Sequence, residues 1–129
     1  INRMEEHADE VLLPLEVRYD LKTFHLDTDG PIPATIRQNI YFIYKEAINN
    51  VAKHANASKV DIWMGNNGQQ FELRIQDDGD GLNHEDENGK RRKGQGLANL
   101  RMRAQRLGAE IDILNGQGFT VHLRMKRFI

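Results

Sequence analysis

A chain of 129 residues is one domain by length. With 39% hydrophobic residues it can build one core, and with no cysteine it has no disulfide, thiol chemistry or Cys-ligated zinc. The formal net charge of −1 excludes a strongly basic coat for nucleic acid, yet the charge is unevenly spread. Residues 1–30 hold 8 acids and 3 bases, residues 31–88 hold 9 and 5, and residues 89–129 hold 2 and 10. Either these blocks neutralise one another in the fold, or the basic block meets an anion.

Met4, Ala8, Val11 and Leu12 recur at helical spacing and Pro14 stops the run. The spacing predicts the tail of a linker helix over residues 1–13, ahead of one domain over residues 14–129. Leu15, Val17, Tyr19 and Leu21 alternate with polar residues, as in a half-buried strand that extends through Phe24 and Leu26. Asp29, Gly30 and Pro31 form a turn. A helix runs from about Ala34 to Ala55 on the apolar stripe Ile36, Ile40, Ile43, Ala47 and Val51, with Asn56 as a left-handed cap. Val60, Ile62 and Met64, a turn at residues 65–68, then Phe71, Leu73 and Ile75 predict a hairpin.

Residues 77–96 are glycine-rich and charged, without a period. Leu97, Leu100, Ala104 and Leu107 mark a second helix closed by Gly108. Ile111 and Ile113, a turn at residues 115–118, then Phe119, Val121, Leu123 and Met125 make a last hairpin. The expected fold is α+β, a two-layer sandwich with a mixed, mostly antiparallel sheet covered by helices on one face.

Three segments carry chemistry. At 100° per residue, Glu46, Asn50 and Lys53 fall on one side of the long helix, with His54 beside them. A carboxylate, an amide oxygen and a cation beside a core suit a metal–phosphate site, although a solvated helix face reads the same way. Asp77-Asp78-Gly79-Asp80-Gly81 follows a strand directly. Gln76 to Glu87 nearly matches a calcium loop, but Gln stands at its first position and a strand precedes it where a helix should. A sharp turn with one carboxylate aimed inward, able to accept a hydrogen bond from an exocyclic amine, is the better account. Gly94-Gln95-Gly96-Leu97 opens a helix, where free N–H groups can face phosphate. No GxxxxGK[ST] phosphate loop occurs in the chain.

In this order the three segments resemble the nucleotide-binding domain of the GHKL ATPase superfamily, which includes histidine kinases and gyrase, and whose fold is the Bergerat type. The run from Lys45 to Ala55 looks like its N box, Asp77-x-Gly79-x-Gly81 its G1 box, Gly94-x-Gly96-Leu97 its G2 box, and Gly118-Phe119-Thr120 its final strand element. The wording of residues 46–55 and 96–113 is similar to sensor histidine kinases of the nitrate-sensor and desaturase-sensor class. The resemblance implies ATP and Mg²⁺ as ligands. It makes Glu46 the N-box acid, Asn50 the Mg²⁺ ligand, and Lys53 and His54 neighbours of the phosphates. It makes Asp77 the carboxylate on the adenine amine, with Gly79 and Gly81 shaping that wall. Gly94, Gly96 and Leu97 then line the phosphates, and Thr120 supplies a hydroxyl near adenine. The segment from Leu82 to Lys93 corresponds to a short lid, in which Lys90, Arg91, Arg92 and Lys93 are phosphate-contact candidates.

Departures are few: Lys45 stands where Arg is usual, and the G1 box is more acidic than most. No residue fits the phosphoacceptor histidine. That histidine is expected in a His-Asp or His-Glu context on an upstream helical hairpin; His7-Ala8-Asp9 does not fit it, His84-Glu85 sits in the lid, and His25 and His122 sit in strands. The resemblance therefore implies transfer of the γ-phosphoryl to a histidine on a separate dimerisation domain of the same protein, with a response regulator downstream. The fragment itself would be monomeric and cytoplasmic, within a homodimeric parent that is either free or membrane-anchored. An anti-sigma-factor serine kinase of the same superfamily is the alternative, and a binding module with degenerate nucleotide binding a third reading.

Overall fold

The computed structural model describes residues 2–25, 33–67, 70–79, 95–116 and 118–126. Its elements in chain order are α1 (Asn2–Leu12), a short 3-10 turn (Leu13–Leu15), β1 (Arg18–Phe24), α2 (Ala34–Asn50), a π-helical turn (Val51–Ala55), β2 (Lys59–Asn67), β3 (Gln70–Asp77), α3 (Gln95–Leu107), β4 (Glu110–Gly116) and β5 (Gly118–Lys126). The strands form one sheet in the order β1-β2-β3-β5-β4. Only the β1–β2 pair is parallel; the other three neighbours are antiparallel. The expected α+β class and mixed sheet are both present.

Alternation makes the sheet two-faced. Val60, Ile62 and Met64 on β2, Leu73 and Ile75 on β3, and Val121 and Leu123 on β5 are cross-strand neighbours and all buried. They meet Ile40, Ile43, Tyr44, Ala47, Ile48 and Val51 from α2, and Leu100 and Ala104 from α3, in one hydrophobic core. The opposite face is charged: Arg74 lies 5.3 Å from the centre of the Trp63 ring, His122 is 3.3 Å from Glu72, and Arg124 is 2.6 Å from Asp112. A sheet with one apolar face needs helices only on that side. Among the described residues no helix is long and apolar enough to cross a membrane.

Helix α1 is no appendage. Met4, Ala8 and Leu12 are buried in the same core, and the Tyr44 hydroxyl donates 2.6 Å to the Met4 carbonyl oxygen inside it. The apolar spacing of residues 4–12 is therefore a packing stripe of this domain.

The start of β1 also differs from the alternation pattern. Leu15 sits in the 3-10 turn and is 53% exposed, and Glu16 takes a left-handed conformation (φ 60°). Pro14 at the beginning of that turn fixes its own φ and removes a donor, so pairing begins only at Arg18. At the strand's other end, His25 has φ 53° and lies beyond β1. The expected extension to Leu26 falls outside the described residues. The caps at Asn56 (φ 50°) and Gly108 (φ 65°) are left-handed as the residue types implied.

If α1 belongs to the folding unit, Leu12→Ala should lower stability by about 2–5 kcal/mol in denaturant titrations. An undisturbed midpoint would make α1 a loosely attached tail.

Candidate nucleotide site

Asp77 ends β3 and shares the apolar face of the sheet, because it pairs with Val60 across the β2 ladder. Its side chain is 3% exposed. One carboxylate oxygen, Oδ1, accepts hydrogen bonds from the backbone N–H of Gly79 at 2.8 Å and of Phe119 at 3.2 Å. The other, Oδ2, is buried with no partner among the described residues. Burial pushes the carboxyl above its ordinary range and the neighbouring Asp78 charge adds to that; the two N–H bonds work against it. A half-satisfied buried carboxylate costs free energy unless a donor arrives.

Gly118 makes this arrangement possible. It has φ 96°, and a Cβ there would run into the Asp77 carbonyl oxygen. Only a residue without a side chain lets the start of β5 come this close, and that approach brings the Phe119 N–H onto Asp77.

Asn50, the last residue of α2, is 7% exposed and its Nδ2 has no partner among the described residues. Glu46, one turn earlier and half-buried, accepts a 3.1 Å hydrogen bond from Asn99 Nδ2 on α3. Further along, Arg103 of α3 donates to Asn39 of α2 at 3.4 Å, so the two helices run antiparallel. The opening turn of α3, with Gly96 and Leu97, therefore lies alongside the end of α2 that carries Asn50. Its first N–H groups have no partner within the helix. The π-helical turn also touches β5, which closes the ring of elements from Asp77 to α3.

Glu46 and Asn50 keep their alignment on one α-helical face. Lys53 does not follow from the same arithmetic. It lies in the π-helical turn, where each residue rotates by less than 100°. Its side chain is exposed and engaged in interactions of its own. His54 shares that turn, though its side chain is not among those described.

Thr120 is a correction. The ladder pairs it with Gln76 and Leu114, on the face of the sheet opposite Asp77. Phe119 takes the inward position instead, 2% exposed. Alternation along β5 leaves no freedom here, because Val121 and Leu123 must face the core. Gly81, Gly94, Lys90, Arg91, Arg92 and Lys93 lie outside the described residues.

Sequence reasoning missed Asn99 and the Phe119 N–H. Asn99 had no motif, only its place one turn into a helix that must pack on α2. A backbone donor is invisible to residue type.

Among the described residues no group of three or more acidic or histidine side chains could hold a metal ion. A divalent cation here would take the Asn50 amide oxygen and otherwise the oxygens of its anion, as Mg²⁺ commonly does. Two hollows, about 670 Å³ beside Tyr41 and Phe71 and about 240 Å³ beside Trp63 and His122, do not border Asp77 or Asn50.

The native state holds the Asp77 proton more tightly than the unfolded chain, so stability should fall as pH rises from the ordinary carboxylate range through the raised one. Asp77→Asn should flatten that part of the profile. At neutral pH it should raise the melting temperature, by about 4 °C for each kcal/mol relieved in a domain of this size. A lower melting temperature would show that the carboxylate stabilises the fold.

Comparison with known proteins agrees with this architecture. Residues 35–128 match the family described as histidine kinase-, DNA gyrase B- and HSP90-like ATPase. The chain is 32% identical over 110 residues to the sensor protein VraS of Staphylococcus aureus, and equally to that of Staphylococcus haemolyticus. Each alignment covers 85% of this chain but 31% of the relative, so the chain spans about a third of their length. The histidine kinase domain of the Erythrobacter litoralis EL346 blue-light activated kinase has the same fold (TM-score 0.73, 19% identity, 97% of this chain and 58% of that one). So does the catalytic domain of histidine kinase ThkA (TM-score 0.71, 13% identity, 97% and 89%). The chain belongs to the histidine kinase-, DNA gyrase B- and HSP90-like ATPase family.

Proposed function

We propose that this chain is the catalytic domain of a sensor histidine kinase, which binds ATP with Mg²⁺ and donates the γ-phosphoryl group to a histidine on a separate dimerisation domain. The observation that carries this reading is the buried Oδ2 of Asp77, without a partner among the described residues, on a carboxylate whose Oδ1 accepts from two backbone N–H groups on the apolar face. An adenine fits it: the exocyclic amine supplies the missing donor and the ring suits the apolar surround. The sensor-protein relatives support the kinase assignment over the other activities of the family.

Asp77 selects the base, and Gly79 shapes the wall beside it. Asn50 offers an amide oxygen to the metal that arrives with the triphosphate. Mg²⁺ held by Asn50 would supply positive charge against the phosphates. The opening turn of α3 presents N–H groups to phosphate oxygens. Lys53, His54 and the four cations Lys90, Arg91, Arg92 and Lys93 add positive charge at the same end. Glu46, oriented by Asn99, stands beside Asn50 to order the acceptor or a water. In the reaction a ring nitrogen of the histidine uses its lone pair to form the N–P bond. The bond from the γ-phosphorus to the bridging oxygen breaks, and that oxygen leaves with its electron pair on ADP. A response regulator then takes the phosphoryl group. The domain works on the cytoplasmic side of a homodimeric parent.

Calorimetry tests the binding half. The chain should bind ATP, Asp77→Asn should weaken it by about a hundredfold, and Asn50→Ala should remove most of the Mg²⁺-dependent part. Unchanged ATP affinity in Asp77→Asn would overturn the adenine assignment. With labelled ATP, the chain should stay unlabelled by itself and label a separately supplied dimerisation domain at a histidine. A label on serine would favour the serine-kinase reading.

A further inference from the structure

Asp78 is the second acid of the turn, and nothing in the binding scheme uses it. Its side chain points away from the apolar layer and is exposed. Even so, its carboxylate accepts three hydrogen bonds. Oδ1 accepts from the backbone N–H of Ser58 at 2.8 Å and of Lys59 at 2.9 Å, and Oδ2 accepts from the Ser58 hydroxyl at 2.6 Å. Its own N–H donates to the Lys59 carbonyl oxygen at 3.2 Å. These contacts hold the carboxyl below the ordinary range, the Ser58 hydroxyl foremost.

The clamped residues matter because of what they join. Ser58 lies five residues beyond Lys53, after the left-handed Asn56 that ends the π-helical turn. Its carbonyl oxygen accepts the Arg18 N–H, which registers β1 on β2. Asp78 therefore ties the chain leaving the phosphate end of the site to the turn that carries the base-binding acid. Asp77 and Asp78, consecutive and pointing oppositely, fix that turn from both sides. Asp77 is bonded to β5 and Asp78 to the start of β2.

We infer that Asp78 is a positioning residue: by clamping Ser58 and Lys59 it sets where Asp77 meets the base, and so sets discrimination for an amino-substituted purine. This rests on the proposed nucleotide-binding reading. Asn at this position can keep every contact, since its oxygen accepts both backbone N–H groups and its NH₂ can donate to the Ser58 hydroxyl oxygen. Ala keeps none.

The test measures affinity of the chain and its Asp78→Ala, Asp78→Asn and Ser58→Ala variants for Mg-ATP and for Mg-inosine triphosphate, in which a carbonyl replaces the amine. Wild type should prefer ATP. Asp78→Ala should lose about tenfold or more in ATP affinity and much less for the inosine nucleotide, so that the preference shrinks. Asp78→Asn should restore it to within about threefold, and Ser58→Ala should fall between. Melting curves run in parallel separate positioning from folding. A variant that melts lower yet keeps the full ATP preference would make Asp78 only a cap on the loop and overturn the inference. If Asp78→Ala does not fold, Ser58→Ala decides by the same criterion. Wild type with no preference for ATP over the inosine nucleotide would instead remove the adenine reading beneath it.

Discussion

An ionisable carboxyl group placed in the apolar layer between helices and sheet is the constraint from which the rest of this structure follows. Asp77 occupies a position that alternation reserves for a hydrophobic side chain, in line with Leu73 and Ile75. Water cannot solvate it there, so the protein supplies donors from its backbone, and supplies them to one oxygen only. Satisfying that oxygen needs Gly79 in the following turn and Phe119 at the head of β5. Phe119 in turn needs Gly118 to bring the strands together. The other oxygen is left as an unspent acceptor. The domain thus carries a local instability whose relief requires a donor of the right shape, the usual trade of stability for binding.

Periodicity made much of the architecture legible before any coordinates. The α2 stripe, both hairpins, α3 with its Gly108 cap and the helix-over-sheet layering all follow from apolar spacing, which reports burial directly. Spacing reported less about what interrupts a period. Leu15 continues the alternation of Val17 and Tyr19 but belongs to a 3-10 turn, because Pro14 governs the backbone where the side-chain pattern is silent. The parallel β1–β2 pair was not legible either, since strand direction leaves no trace in alternation.

The site was legible where a residue type is chemically rare in its setting. Glu46 and Asn50 stand out as polar groups beside an apolar stripe, and the acidic turn after an apolar strand as a place for one inward carboxylate, which the family resemblance assigns to Asp77. Thr120 misled because a motif names a residue while a sheet assigns it a face, and the β5 register turns Phe119 inward. Lys53 escapes the helix-wheel arithmetic, since its place there assumes a turn that the π-helical segment widens. The two consecutive acids read alike in sequence, yet one is buried and the other braces the surface.

The hydrogen bond from Phe119 to Asp77 joins residues 42 positions apart. Between them come residues 80–94, α3 and β4, so β3 cannot find its neighbour β5 until the chain has been made through residue 118 and beyond. Contacts of such long range form late and at the full entropic cost of closing the loop. The Asp77 carboxylate therefore acquires its final orientation only when β5 docks. A chain growing from the ribosome would display both helices of the early half, and even Asn50, without a working pocket. The surroundings of Asp77 are thus completed together with the sheet, which makes their geometry a report on the integrity of all five strands.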